Sequence, residues 1–274
     1  MEPADFVNES PPTAKIGALS NYLKEESART PIDVYREGVA KILSYGTTER
    51  LSESDFLGRL LVLGLVSATE GYVRAILASS IELCPIAQAK ASTQSINLGG
   101  LLWHGKTGFS RSAFEHASFT SAAELEKAVK NFIGFQMNDA VFEDPLRQYD
   151  IVCQLRHGIV HGDGFLPGRN AVLLDIPKYD KPVRIRIGYN ELQEIASVVN
   201  TLVFTFNREI FKEFCKRWAI DWRKRSNWDP ENEGKKFKEI WDIFHSQDEK
   251  SHRQDKRKII PSLCMKKVKN IYGV

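Results

Sequence analysis

With 274 residues, 42% of them hydrophobic and 27% charged, the chain is long enough to bury a sizeable core, and its composition excludes fibrous and wholly disordered classes. Its four cysteines, Cys84, Cys153, Cys215 and Cys264, form no C-x-x-C pair, which argues against a disulfide framework or a cysteine-based zinc site. The net charge of +3 is uneven: residues 221–274 hold 14 Lys and Arg against 9 Asp and Glu, a basic tail that suits contact with nucleic acid and equally a solvated tail.

The opening MEPADFVNES carries acidic groups and neither a basic n-region nor an apolar h-region, so a cytoplasmic location is expected. Pro3, Pro11 and Pro12 lie among polar neighbours and predict no regular structure, while short amphipathic segments near 15–27 and 32–45 predict two helices. From Asp55, the residues Leu57, Leu61, Leu65, Ala68, Tyr72 and Ile76 recur at spacings of three and four, predicting a long helix that ends before Pro85. Its apolar run LLVLGLVSA at 60–68 is flanked by Arg59 and Glu70 and is much shorter than the ~20 residues a span needs, so no membrane partner is expected. Residues 97–119, with paired glycines, read as an irregular connection. Ser121 and Glu124 then form a capping-box pattern ahead of Leu125, Val129, Phe132 and Ile133.

Asp144 before Pro145 predicts an N-cap and first position for a helix running through Ile151, Val152, Leu155 and Ile159 until Gly162 and Gly164 stop it. Next, AVLLDI and PVRIRIG around a turn-prone Pro-Lys-Tyr-Asp-Lys-Pro predict a small β-hairpin near 170–188. Asn190 and Gln193 predict the cap of a long helix reaching Ile220, apolar around much of its circumference, whose buried stripe continues through Phe211, Phe214, Trp218 and Trp222. DPENEGKK at 229–236 breaks the chain, and Phe237, Ile240, Trp241 and Phe244 mark one more amphipathic helix before a charged terminal stretch. The expected fold is all-α: a helical bundle over 55–220 with a small β-hairpin insertion, preceded by an extension (1–54) with short helices and followed by a basic extension (221–274) with one amphipathic helix.

The densest chemistry lies in LRHGIVHGDG, residues 155–164, where Arg156, His157 and His161 fall within six positions near the predicted end of a helix. The order Arg, a polar residue, three residues, His, followed by Gly, resembles the motif of the HEPN superfamily of RNases and toxins. The helix order is similar too: a long helix with LVSATEGYVRAIL, a helix ending in RHGIVHG, then a long final helix, so that the likeness covers residues 55–220. The resemblance implies a HEPN-like bundle and metal-independent RNA cleavage, with no cofactor and no metal, in which the ribose 2′-hydroxyl attacks the adjacent phosphate. It implies a homodimer with a composite cleft, toxin or phage-defence use, and a cognate antitoxin or sensor protein as a partner besides RNA.

The residues suit that task. An imidazole is the side chain that moves protons near neutral pH, which makes His161 the candidate acid or base. A guanidinium is a permanent planar cation that holds a phosphate and offsets developing charge, which is the role of Arg156. For His157, at the motif's polar position, the resemblance implies a role in orienting the backbone or the substrate. Five residues along an ideal helix turn Arg156 and His161 ~140° and ~7.5 Å apart, so either the helix relaxes at Gly158 and Gly162 or two copies share the site across a two-fold interface.

Other readings of these residues stay open. His157 and His161 have the i, i+4 spacing of metal ligands but lack a third ligand nearby, and they also fit a structural pair capping the helix and bonding Asp163. Glu70 either supports the motif from the facing helix or makes an ordinary helix pair with Arg74. In KRWAIDWRKRSNW, Arg223, Lys224 and Arg225 interleave with tryptophans as an RNA-stacking surface does, although the spacing of Trp218 and Trp222 is that of core positions. No Gly-rich phosphate loop, H-E-x-x-H or G-x-S-x-G is present. The alternative function is a non-catalytic helical dimer serving as a binding or assembly module.

Overall fold

The structure, a computed structural model, describes Phe6 and residues 14–137, 140–248 and 260–274. Three helices organise the bundle: α3 (Asp55–Leu83), α7 (Ala140–His161) and α9 (Tyr189–Lys216). Around them lie α1 (Pro31–Tyr45), α2 (Thr48–Glu53), α4 (Pro85–Ala91), α5 (Leu98–Gly108), α6 (Ala122–Ala128), α8 (Gly168–Leu173), α10 (Glu233–Phe244) and α11 (Pro261–Tyr272). The all-α class follows directly, since the described residues contain no strand.

The centre is α3, which starts where the Ser54 hydroxyl accepts the Leu57 N–H and stops at Cys84 because Pro85 offers no donor to continue it. An 18-residue window of α3 is long and apolar enough to cross a membrane, and half of that window is buried inside the protein. Leu65, Ile76 and Leu77 are fully buried along it. α9 runs parallel to it, with the Tyr72 hydroxyl donating to Asn207 at 2.8 Å, while α1 and α7 run antiparallel. One hydrophobic cluster joins Ile32 and Tyr35 of α1, the central helices, Phe237 of α10 and Val268 of α11.

Several expectations are corrected. Residues 15–27 form no α-helix, only a 3-10 turn over Leu19–Tyr22, because none of the described elements covers their apolar residues: every residue from 14 to 29 is exposed. Residues 97–119 are mostly helical, with Asn97 accepting the Gly99 and Gly100 N–H groups to start α5 and Gly105 at φ +67° kinking it. α7 begins at Ala140, so Pro145 sits inside the helix, where it removes one backbone bond near the start. α9 begins at Tyr189, with the Glu191 carboxylate accepting the Gly188 N–H at 3.0 Å in place of a cap at Asn190. A second C-terminal helix, α11, follows the one that the sequence pattern marked. The charged stretch 249–259 and the early prolines lie outside the described residues.

The hairpin near 170–188 does not form. Residues 168–173 make α8, held by the buried Asn170 amide donating to Gln154 of α7. The VRIRI run is extended, with Ile185 and Ile187 inward and Arg184 and Arg186 outward, as its alternation predicts. Its backbone pairs instead with the exit of α7: Leu166 N–H donates to Val183 C=O at 2.9 Å, Ile185 N–H donates to Gly164 C=O at 2.7 Å, and Phe165 and Arg184 form an isolated bridge.

Candidate active site

The last turn of α7 carries the motif, and its close is set by glycines. A Cβ at Gly158 would stand 2.7 Å from Ile185 Cδ1, and one at Gly162 would stand 2.4 Å from the Phe165 carbonyl oxygen. Asp163 and Gly164 then adopt left-handed backbone, φ +50° and +81°, and the chain doubles back so that the Gly164 N–H caps the Gly158 carbonyl at 3.2 Å. Arg59 of α3, buried, secures the return by donating to the Ile185 carbonyl at 3.2 Å. The helix stays regular through His161, with Gly162 N–H bonding Gly158 C=O at 3.0 Å, so it does not relax at Gly158 to swing Arg156 toward His161.

His157 and His161 are exposed, one turn apart, with ring centroids separated by 4.7 Å at 48°. Neither ring makes a hydrogen bond with a described residue, and Asp163, its side chain 92% exposed, faces Arg184 at 3.5 Å instead of the histidines. The reading of a structural pair bonding Asp163 therefore finds no bond in the structure. Among the described residues no three His, Cys, Asp or Glu stand together as a metal site.

Arg156 lies round the helix from the pair, half-buried, on the side of Tyr149 and Cys153, and makes no hydrogen bond or ion pair with a described residue. This separates it from the neighbouring arginines. Arg59 is bonded as described, Arg74 donates to the Phe114 and Ala117 carbonyls, and buried Arg217 donates to Ile133, Gly134 and Glu213. Burial pushes the Cys153 thiol up to about 12, outweighing its bond with Tyr149, so this thiol is no nucleophile at neutral pH.

Glu70 comes to the same face of α7, within electrostatic reach of Tyr149 and Cys153, but its carboxylate is engaged. It accepts the Phe119 N–H at 3.1 Å and lies 3.7 Å from the Arg74 guanidinium, so it brackets the 114–120 segment onto α3. Tyr149 closes that bracket by donating to the Phe119 carbonyl at 2.9 Å.

The tryptophans of the basic stretch are core. Trp218 and Trp222 are buried, and Arg223 packs over the rings of Trp218 and Trp228 while donating to Glu233 at 2.7 Å. Trp228 is half-buried with Arg223 over one face of its ring, and of the three candidate RNA contacts only Lys224 and Arg225 are exposed. The sequence reading missed a cavity of about 380 Å³ between α7, α9 and the 176–187 segment. The inward alternation of Val183, Ile185 and Ile187 is the signal that marked one of its walls.

The chain matches no protein-family model, no curated protein and no solved structure.

Proposed function

We propose that the protein is a metal-independent endoribonuclease of HEPN type that acts as a homodimer, with Arg156 and His161 at the reacting phosphate and His157 supporting them. One observation carries the reading: a guanidinium and two imidazoles are gathered on one helix end, all reachable by solvent, and none of them makes a hydrogen bond or ion pair with a described residue. Polar groups that a fold does not use are where binding and chemistry are sought first.

An imidazole takes the 2′-hydroxyl proton as that oxygen attacks phosphorus, the bond from phosphorus to the 5′-oxygen breaks, and a protonated imidazole delivers a proton to the leaving oxygen. The products are a 2′,3′-cyclic phosphate and a free 5′-hydroxyl. Arg156 holds the non-bridging oxygens and offsets their growing charge. Because α7 stays regular, the ~140° between Arg156 and His161 favours a site assembled from two motifs facing each other across a two-fold axis. Phe56 and Leu60 on α3 and Val160 on α7, 62%, 45% and 43% exposed, supply apolar surface on the helices that frame the motif. In this reading the protein is a toxin or antiviral effector acting on cytoplasmic RNA, restrained by a cognate antitoxin or sensor.

The test is cleavage of total RNA and tRNA in excess EDTA by wild type and His161→Ala. Wild-type cleavage that falls at least ~10²-fold in the variant, the usual worth of a general acid or base, supports the reading. No cleavage by either favours the non-catalytic helical dimer, and equal cleavage by both places the activity elsewhere.

A further inference from the structure

The motif helix has a second face with a different chemistry. Ile151 and Leu155 of α7, Val198 of α9, and Val183 and Ile185 of the extended segment enclose the cavity of about 380 Å³, and Tyr179 stands at its mouth, 58% exposed. That volume lies at the lower end of the ~300–1,000 Å³ of pockets that take small molecules. The polar groups around it are unevenly charged. Arg186 is paired with Asp55 at 3.4 Å and Glu191 is bonded to the Gly188 N–H, which leaves the Glu194 carboxylate with no hydrogen bond or ion pair to a described residue.

We propose that this cavity binds a compact apolar molecule carrying a cation such as a primary amine, its body against Ile151, Leu155 and Val198 and its charge on Glu194, and that occupancy is transmitted to the motif. The transmission has a physical route. Ile185 walls the cavity on one side and rests against Gly158 on the other, and its backbone is tied to Gly164 and Arg59. A ligand that displaces Ile185 therefore moves the close of α7, one residue from His157 and three from His161. Well-packed walls shift as units and do not yield locally. The inference does not depend on the ribonuclease reading, because its effect is read at the histidines and not through cleavage.

The experiment uses the full chain and three probes with one body: 4-phenylbutylamine, 4-phenylbutan-1-ol and 4-phenylbutyrate. Calorimetry is expected to find saturable one-to-one binding of the amine, about fivefold tighter than the alcohol, as a single exposed ion pair provides, with the carboxylate weakest. Glu194→Gln removes the preference for the amine. Val198→Phe and Ile151→Phe, filling the cavity from opposite walls, each weaken amine binding by at least about tenfold while the circular dichroism spectrum is kept. Saturating amine shifts the Cε1–H resonances of His157 and His161 in wild type and not in the filled variants. Absence of amine binding, binding that survives filling, or binding that leaves both histidine resonances unmoved overturns the proposal. So does a change in molar mass on filling, by light scattering, which would give the cavity to a second copy of the chain.

Discussion

Ile185 Cδ1 lies 2.7 Å from the point where a Cβ on Gly158 would stand, so the glycine in the middle of the motif is a packing requirement. Two further neighbours, the Phe165 carbonyl oxygen and Pro167 Cδ, would each be 3.1 Å away. Gly158→Ala removes a poor helix former, a gain of ~1 kcal/mol, but overpacks this contact at ~1–3 kcal/mol. The net expectation is destabilisation by up to about 2 kcal/mol, with Tm lowered by up to about 8 °C for a chain of this size. A variant that melts above wild type would mean that the return segment does not press on the motif helix.

A shared site makes a sharper demand. If Arg156 of one protomer works with His161 of the other, Arg156→Ala and His161→Ala proteins are each inactive as homodimers, yet a mixed dimer keeps one intact site of its two. Random reassociation puts half of the molecules in mixed dimers, so unfolding and refolding the two variants together should restore about a quarter of wild-type cleavage. Activity that stays at the level of the separate variants would show that each protomer depends on its own pair.

Arg223 is predicted to matter for stability and not for RNA. Its guanidinium is held by Glu233 and by the faces of two tryptophans, and Glu233 is also bonded by Lys269 of α11, so the arginine ties the 3-10 turn Trp222–Lys224 that follows α9 to the C-terminal helices. Arg223→Ala should cost about 1–3 kcal/mol in urea denaturation. Its RNA affinity, measured on a His161→Ala background, should keep the wild-type dependence on salt, since no phosphate contact is lost. A salt slope lowered by about one unit would restore Arg223 to the nucleic-acid surface.

The elements legible in the sequence are those whose apolar spacing is uninterrupted. α3 follows from its three-and-four pattern alone, α10 does so from Phe237 on while its first turn, 233–236, lies in the stretch that reads as a break, and the end of α7 follows from Gly162 and Gly164. Errors arose where a local signal competes with a tertiary one. AVLL reads as strand by composition, yet Asn170 docks on Gln154 and winds it into α8. The segment at 15–27 has helical spacing but no surface to bury it. The motif cluster was legible as residues; that Arg156 and the histidine pair occupy different sides of α7 follows from helix geometry, while the engagement of Glu70 with Phe119 depends on a loop 49 positions away and had no sequence signal.

Asp33 supplies a prediction about acid. It is 2% exposed, and its carboxylate accepts Thr30 Oγ1 at 2.7 Å, Gln247 N–H at 2.8 Å and the Ser246 hydroxyl, tying the start of α1 to the chain beyond α10. Burial alone would raise its pKa, but the bonds from Ser246, Thr30 and the 247–248 backbone together outweigh burial and lower it. A depressed carboxylate contributes stability that is fully present above the unfolded value, ~3.9, and lost as pH falls through the folded value. Asp33→Ala should therefore cost about 2–4 kcal/mol at pH 7, since the donors around the carboxylate lose their acceptor, and the same between pH 7 and pH 5. Below about pH 4 the gap between variant and wild type should narrow, because the wild type loses the ionised clamp while the variant has none to lose. Urea midpoints of both proteins across this range decide it: a gap that stays constant to the lowest pH at which both fold, or one that widens in acid, would mean that the charge on Asp33 does not hold α1 in place.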